Sequence, residues 1–418
     1  MFSLNQMLAK YNNNGKSLYW YGSIIDLNFD TILVLQGGGS LGAYECGVYK
    51  ALCKRGIKFN VLAGSSIGAI NTAIITAAQN GDGKDAPSIL EDFWLTLAED
   101  IISSEPVLSL PNISSNKMRA MLFSFHSIFY GIPKAFIPIW FMPNYIDFML
   151  PYKWTFLYDK DPLKKTLMQF IDFNGLKKIN TKVNDDIKGN FKDEKQSRLI
   201  ITSTDIQRGE PVIFDNAHMD IDADKILAGA SYPFYGIRWT EKDGKYLWDG
   251  SLLTNTPMLE VIRASPLNDK RFFIVDVFPR NQKDIPKNMF EVWHRARDIV
   301  FMDKTDKNIE MLKVNEKSIN LLKRIYKIIN SSDAKIDEKT KEKLKELDKE
   351  YHSLTKKHGA AITDVIRIGR KEEDLHYILE DADFSKYRIK KLIHEGESDA
   401  ENAIKEKQFK DSDYSVNV

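Results

Sequence analysis

Residues 31–70 read TILVLQGGGSLGAYECGVYKALCKRGIKFNVLAGSSIGAI, and this stretch decides the fold. Thr31 to Leu35 is a short β-branched, apolar run; a glycine cluster follows, then an apolar-periodic stretch from Gly42 to Arg55 that stops near Gly56. The order is strand, tight loop, helix. Phe59 to Ala63 repeats it, with another apolar run, a Gly/Ser turn and a helix-forming segment of small residues from Ile67 to Gln79. Two successive strand–loop–helix units predict an α/β fold with a parallel-rich central sheet covered by helices.

Further strands are expected at Arg198 to Ser203, Pro211 to Phe214, Lys245 to Trp248 and Arg271 to Phe278. The last is almost continuously apolar, as a buried strand should be, and the sheet is expected to end there. From Asp303 to His358, lysine and glutamate alternate with apolar Leu312, Ile319, Leu322, Ile325 and Ile329, which predicts an amphipathic helical hairpin of mostly structural role. An apolar run at Val365 to Ile368 and a helix-like stretch from Ser385 to Lys407 close the chain. The expected organisation is an N-terminal segment (1–30), an α/β body (31–300) carrying an insert at 105–160, and a mostly helical C-terminal extension (301–418).

Lys plus Arg number 59 against 58 Asp plus Glu, so no global field gathers nucleic acid or an anionic membrane, and any peripheral membrane contact must be local. Cys46 and Cys53, on one predicted helix, suit packing better than a disulfide and point to a reducing, cytoplasmic interior. No secretory signal is evident at the N-terminus. The aromatic-rich stretch from Met118 to Tyr158 is broken by Pro133, Pro138, Pro143 and Pro151, so no membrane-spanning helix is expected there. No His/Cys set sits at ligand spacing, so neither metal nor cofactor is expected. Oligomeric state is left open.

Gly64-Ser65-Ser66-Ile67-Gly68 fits G-x-S-x-G and falls between a strand and a helix, where a sharp turn lifts a serine oxygen clear of the sheet. Gly37-Gly38-Gly39-Ser40-Leu41-Gly42 follows the first strand and offers backbone N–H groups at a helix N-terminus, where an oxyanion is favoured. The same residues satisfy the dinucleotide pattern G-x-G-x-x-G, but Ala63-Gly64-Ser65-Ser66 stands where that reading wants a ribose-binding acid. A Walker loop fails because Ala43-Tyr44 follows the last glycine.

Serine needs a base. None of the seven histidines, His126, His218, His294, His352, His358, His376 and His394, sits in a loop just after a strand with small neighbours. Asp249 does: Trp248-Asp249-Gly250-Ser251 ends the Lys245 to Trp248 run, and Asn255-Thr256-Pro257 follows as the chain turns into a helix. Taken alone, Asp-Gly is more often a plain turn.

Together these motifs resemble the patatin-like phospholipase family over roughly Thr31 to Phe278. The resemblance implies a three-layer α/β fold and a Ser-Asp dyad of Ser66 and Asp249 without histidine. It further implies an oxyanion loop at Gly37, Gly38 and Gly39, with Gly42, Gly64, Gly68 and Gly250 supporting the motifs. Leu41 departs from a position often basic in the family, Gly229 from a usual serine, and Ser251 from a common glycine or alanine. The expected activity is lipid acyl hydrolysis through an acyl-enzyme, on a lipid or other acyl ester. A thioesterase, transacylase or polyester hydrolase with the same dyad, and a non-catalytic lipid-binding or scaffold protein, remain as alternatives. Phe123 to Tyr158, with Phe136, Trp140, Phe141, Phe148 and Trp154, is a candidate acyl-binding wall, lid or membrane-docking face, or else ordinary core packing.

Overall fold

The computed structural model describes residues 29–81, 85–98, 116–142, 154–179, 196–266, 268–279, 281–282, 285–331, 346–347, 349–350, 362–370 and 380–414. Residues 1–28 of the N-terminal segment, the insert before residue 116, Phe148 and His352, His358 and His376 lie outside them.

Both strand–loop–helix units form where the apolar runs place them: β1 (Phe29–Leu35) leads to α1 (Gly42–Lys54), and β2 (Val61–Gly64) to α2 (Ile67–Asn80). The two strands pair in parallel, and their ends match, Leu35 opposite Gly64. α3 (Ala86–Leu97) and α4 (Asn116–Tyr130) follow. A small hairpin of β3 (Ile137–Pro138) and β4 (Tyr158–Asp159) then leads to α5 (Asp161–Phe170). The sheet resumes with β5 (Arg198–Asp205), β6 (Glu210–Asp215), α6 (Ala223–Gly229), β7 (Thr240–Lys242), β8 (Lys245–Asp249), α7 (Met258–Ala264) and β9 (Asp269–Asp276). The last described elements are α8 (Met289–Ser331), β10 (Ile362–Gly369) and α9 (Lys386–Tyr414).

The eight-stranded sheet runs β10-β9-β1-β2-β5-β8-β7, with β6 also on β5. Its parallel strands are buried on both faces. Leu33, Leu35, Leu62, Ile201 and Phe273 pack under α1, α2 and α9, whereas Ile32, Val34, Ala63, Phe272 and Ile274 pack against Met258 and Val261 of α7. Successive side chains point to opposite faces of a strand, so two-sided burial demands the unbroken apolar runs seen in the sequence.

One expectation is corrected. The sheet does not close with the Arg271–Phe278 run, because β10 adds a further edge strand parallel to β9, with Val365 opposite Phe272. In the charged region beyond residue 300, α8 is one continuous helix of 43 residues that starts at Met289, while most of the expected hairpin's second arm lies outside the described residues. α9 lies close on α1: a Cβ on Gly47 would stand 1.9 Å from the Ile393 carbonyl oxygen, and one on Gly396 2.1 Å from that of Tyr44.

The register of β5 positions the site. Ile201 is flanked by Phe214 of β6 and Gly64 of β2; two residues on, Ser203 is flanked by Val212 of β6 and Asp249 of β8. A strand has only two edges, and β6 occupies one throughout. β2 and β8 therefore share the other, running toward each other head-on with only Thr202 between their ends. Gly250 permits the approach, since a Cβ there would stand 2.3 Å from the Thr202 carbonyl oxygen.

Candidate active site

Ser66 leaves β2 with φ 55° and ψ −127° and begins α2. Among the described non-glycine residues only Ser66 and Asp243 have positive φ. For a serine this conformation costs about 1–3 kcal/mol and persists only where surroundings enforce it. They do so by close packing. A Cβ on Gly64 would meet the Gly68 carbonyl oxygen at 2.2 Å, one on Gly68 the Leu35 carbonyl oxygen at 2.4 Å, and the Ser66 N–H donates to the Gly229 carbonyl at 2.9 Å.

Asp249 is fully buried where β8 ends. Its Oδ1 accepts the Ser251 N–H at 2.8 Å, its carbonyl accepts the Thr204 hydroxyl at 2.9 Å, and its own N–H donates to the Ser231 carbonyl at 3.0 Å. Oδ2 has no formed hydrogen bond. The Ser66 hydroxyl nevertheless lies near enough to act on the carboxyl. Burial pushes that carboxyl from 3.8 up to about 6, opposed by Ser66, by Ser251 and by the Lys160 ammonium, all of which favour the charged form.

The glycine turn between β1 and α1 is gripped by the loop after Asp249. Gly37 donates its N–H to Asn255 Oδ1 at 2.9 Å, and the neighbouring Gln36 side chain donates to Thr256 Oγ1 at 2.8 Å and Asp276 Oδ1 at 2.9 Å. A Cβ on Gly37 would stand 2.6 Å from the Ser66 Cβ, so only glycine lets this turn approach the serine. Because the Gly37 N–H is engaged, Gly38 and Gly39 are left as donors. Beneath the turn, Glu45 accepts the Gln36 N–H at 2.7 Å and Asn71 Nδ2 at 2.8 Å, and burial pushes its carboxyl well above the usual range. Gly42 admits Ile67 and Trp94, each 2.7 Å from where its Cβ would be.

Ser66 and the glycine turn open into a cavity of about 340 Å³. Its walls are largely apolar and include Ile70 of α2, Ile128, Ile132, Phe136 and Leu157 of the insert, and Tyr232. Of the insert's predicted aromatics Phe136 lines this cavity, whereas Phe141 is exposed and stacks on Tyr130. The far wall comes from the C-terminal part of the chain: Arg297 and Phe301 of α8, with Asp381, Ala382 and Phe384. Arg297 Nη1 donates to Asp381 Oδ2 at 2.6 Å, and the Tyr235 hydroxyl donates to the same oxygen. The Ser40 hydroxyl donates to the Glu380 carbonyl at 3.0 Å, and a Cβ on Gly39 (φ 56°) would stand 2.4 Å from the Asp381 carbonyl oxygen.

Among the described residues no histidine lines the cavity, no group of three His, Cys, Asp or Glu could hold a metal, and no helix is long and apolar enough to cross a membrane. Sequence reasoning passed over the roles of Gln36 and Asn255, and over Lys160, Arg297 and Asp381. Asn255 did carry a signal, its place five residues after Asp249-Gly250 where the chain turns into a helix; the others carried none.

Fold and site define a class: a parallel-rich α/β protein with a serine on a strained strand-to-helix turn, facing a buried carboxylate beneath an apolar cavity. The family follows from comparison. A model described as patatin-like phospholipase matches residues 33–262, more than half of the chain, and a second, described as patatin phospholipase, matches residues 299–414. The chain belongs to the patatin-like phospholipase family, and membership implies a lipid hydrolase. Among solved structures, VipD from Legionella pneumophila is 11% identical with a TM-score of 0.36, over 91% of this chain and 67% of that one. The type III effector ExoU is 13% identical with a TM-score of 0.33, over 91% of this chain and 53% of that one. ExoU in complex with SpcU from Pseudomonas aeruginosa is 15% identical with a TM-score of 0.25, over 65% of this chain and 47% of that one. The chain thus spans about half the length of ExoU. No curated protein sequence matches it.

Proposed function

We propose that the protein is a lipid acyl hydrolase working through Ser66 and Asp249. The observation that carries this reading is the head-on meeting of β2 and β8, which sets a strained serine beside a buried, partly uncommitted carboxylate at the floor of an apolar cavity. Ser66 Oγ attacks the ester carbonyl as its proton passes to Asp249, and the N–H groups of Gly38 and Gly39 hold the oxyanion. Collapse of the tetrahedral intermediate breaks the ester bond; the leaving alkoxide takes the proton from Asp249 and departs, leaving acyl-Ser66. Water then gives up a proton to Asp249 and cleaves the acyl-enzyme, and the proton returns to Ser66. The cavity suits an acyl chain, since its wall is mostly hydrocarbon.

The test is hydrolysis of p-nitrophenyl esters of graded acyl length, and of phospholipid vesicles, by wild type, Ser66→Ala and Asp249→Asn proteins shown to be folded. Activity in the wild type and its loss in both variants is expected. Full activity in Asp249→Asn, or an inert wild type on every ester, withdraws the reading.

A further inference from the structure

We propose that Lys160 is a positioning residue for Asp249, a buried cation anchored on Ser231 that holds the base in place and in its charged form. The proposal rests on the Ser66–Asp249 reading above.

Lys160 stands at the foot of the insert, between β4 and α5, and is 8% exposed. An ammonium has three donors and no acceptor. Here all three are taken by neutral oxygens: Ser231 Oγ, Thr240 Oγ1 and, at 2.8 Å, the Arg238 carbonyl. No ion pair joins Lys160 to a carboxylate of the described residues. A buried charge without a counter-ion in contact is costly, so a structure that keeps one has an anion within electrostatic reach or a use for the charge. Asp249 lies just beyond Ser231, whose hydroxyl receives Lys160 and whose carbonyl receives the Asp249 N–H.

This spacing suits a base without a histidine. Asp249 must rest as the anion and become neutral on taking the serine proton, and burial alone favours the neutral form too early. A cation one residue away restores the anion, whereas one in contact would quench its basicity. Ser66, Ser251, Lys160 and the Tyr232 phenol face Asp249; Asp159, Asp161, Asp224 and Arg238 act on Lys160. Burial, then Arg238, bring the Lys160 proton off at about 7, above the midpoint of Asp249 at about 6, so most of its charge is present where Asp249 begins to ionise. The attraction is plainer at Asp249, because burial and three other carboxylates dominate at Lys160.

The experiment is the pH dependence of kcat/KM for wild type, Lys160→Met and Lys160→Arg. The acid limb should move up by roughly 0.5 to 1 pH unit in Lys160→Met, with KM nearly unchanged, and stay near its wild-type position in Lys160→Arg. A limb that does not move in Lys160→Met overturns the proposal. Coupled protonations are reciprocal, so NMR titration of the Lys160 side chain gives a second arm needing neither Lys160 variant nor activity. Lys160 should lose its proton at lower pH in Asp249→Asn than in wild type, and identical titrations overturn the proposal. Loss of the dyad itself would show separately, as an active Ser66→Ala or Asp249→Asn protein.

Discussion

The turn after β1 and the turn after β2 are written in the same grammar of strand, glycine-flanked loop and helix, yet they are held in opposite ways. The second is enforced by the sheet it leaves, with Gly64 packed on Gly68, Gly68 on Leu35 of the neighbouring β1 and the Ser66 N–H taken by Gly229, and its one left-handed position falls on a serine. The first is enforced from outside: Asn255, Thr256 and Asp276 grip one side, Glu380 and Asp381 cap the other, and the left-handed position is Gly39. A turn packed tightly into the sheet can aim one side chain. A turn made by its neighbours can present bare backbone, but only once those neighbours are in place.

Substituting the two left-handed positions should separate the turns most. Ser66→Ala is expected to lower kcat/KM by roughly 10³-fold or more in a folded protein. Ser66→Gly should be equally inert yet more stable, by about 1 kcal/mol in chemical denaturation, because glycine relieves the positive φ. Gly39→Ala should do the reverse on both counts, retaining some turnover while losing about 2 kcal/mol of stability, as its methyl enters the Asp381 carbonyl at a disfavoured φ. A Gly39→Ala protein as stable as wild type would show that the first turn is not externally held.

Asp249 gives the next effect, with a sign opposite to that of an ordinary ion pair. Its carboxyl rises from 3.8 to about 6 on folding, so the folded state holds that proton more tightly than the unfolded chain does. Stability is therefore lost as pH climbs through this window, and the cost is complete above about 6. Asp249→Asn should unfold later than wild type at pH 7.5, by up to about 3 kcal/mol, and show little difference near pH 3. Wild-type kcat/KM should rise with pH to a plateau, with its midpoint near 6. The smallest effect belongs to the outer grip: Asn255→Ala frees the Gly37 N–H and should cost about tenfold in kcat, whereas Asn255→Asp keeps the acceptor and most of the rate.

The same contrast explains what the sequence could tell. β1, β2 and their helices are local events, visible as apolar runs and turn residues within 31–70, and Ser66 and Asp249 stand out as candidates because one lies in the turn after a strand and the other at a strand's last position. Their proximity is not local, being set by which edge of β5 takes β8. The place of β10 in the sheet escaped notice for a related reason: Val365 to Ile368 is a short apolar run whose partner, β9, lies some ninety positions earlier, and nothing within the run names it. Arg297 and Asp381 reach the cavity only through such distant pairings. Lys160 carries no local mark at all, since a lysine beside two aspartates reads as surface.

The cap on the glycine turn carries a consequence for timing. Ser40 and Glu380 are 340 positions apart. A ribosome delivers Ser66, Asp249 and the first turn long before it delivers the residues that seat that turn. A chain still being made therefore holds the first turn without its cap, and a premature stop before residue 380 is expected to leave it so. The first turn is seated only when Glu380 and Asp381 are in place against Ser40 and Gly39.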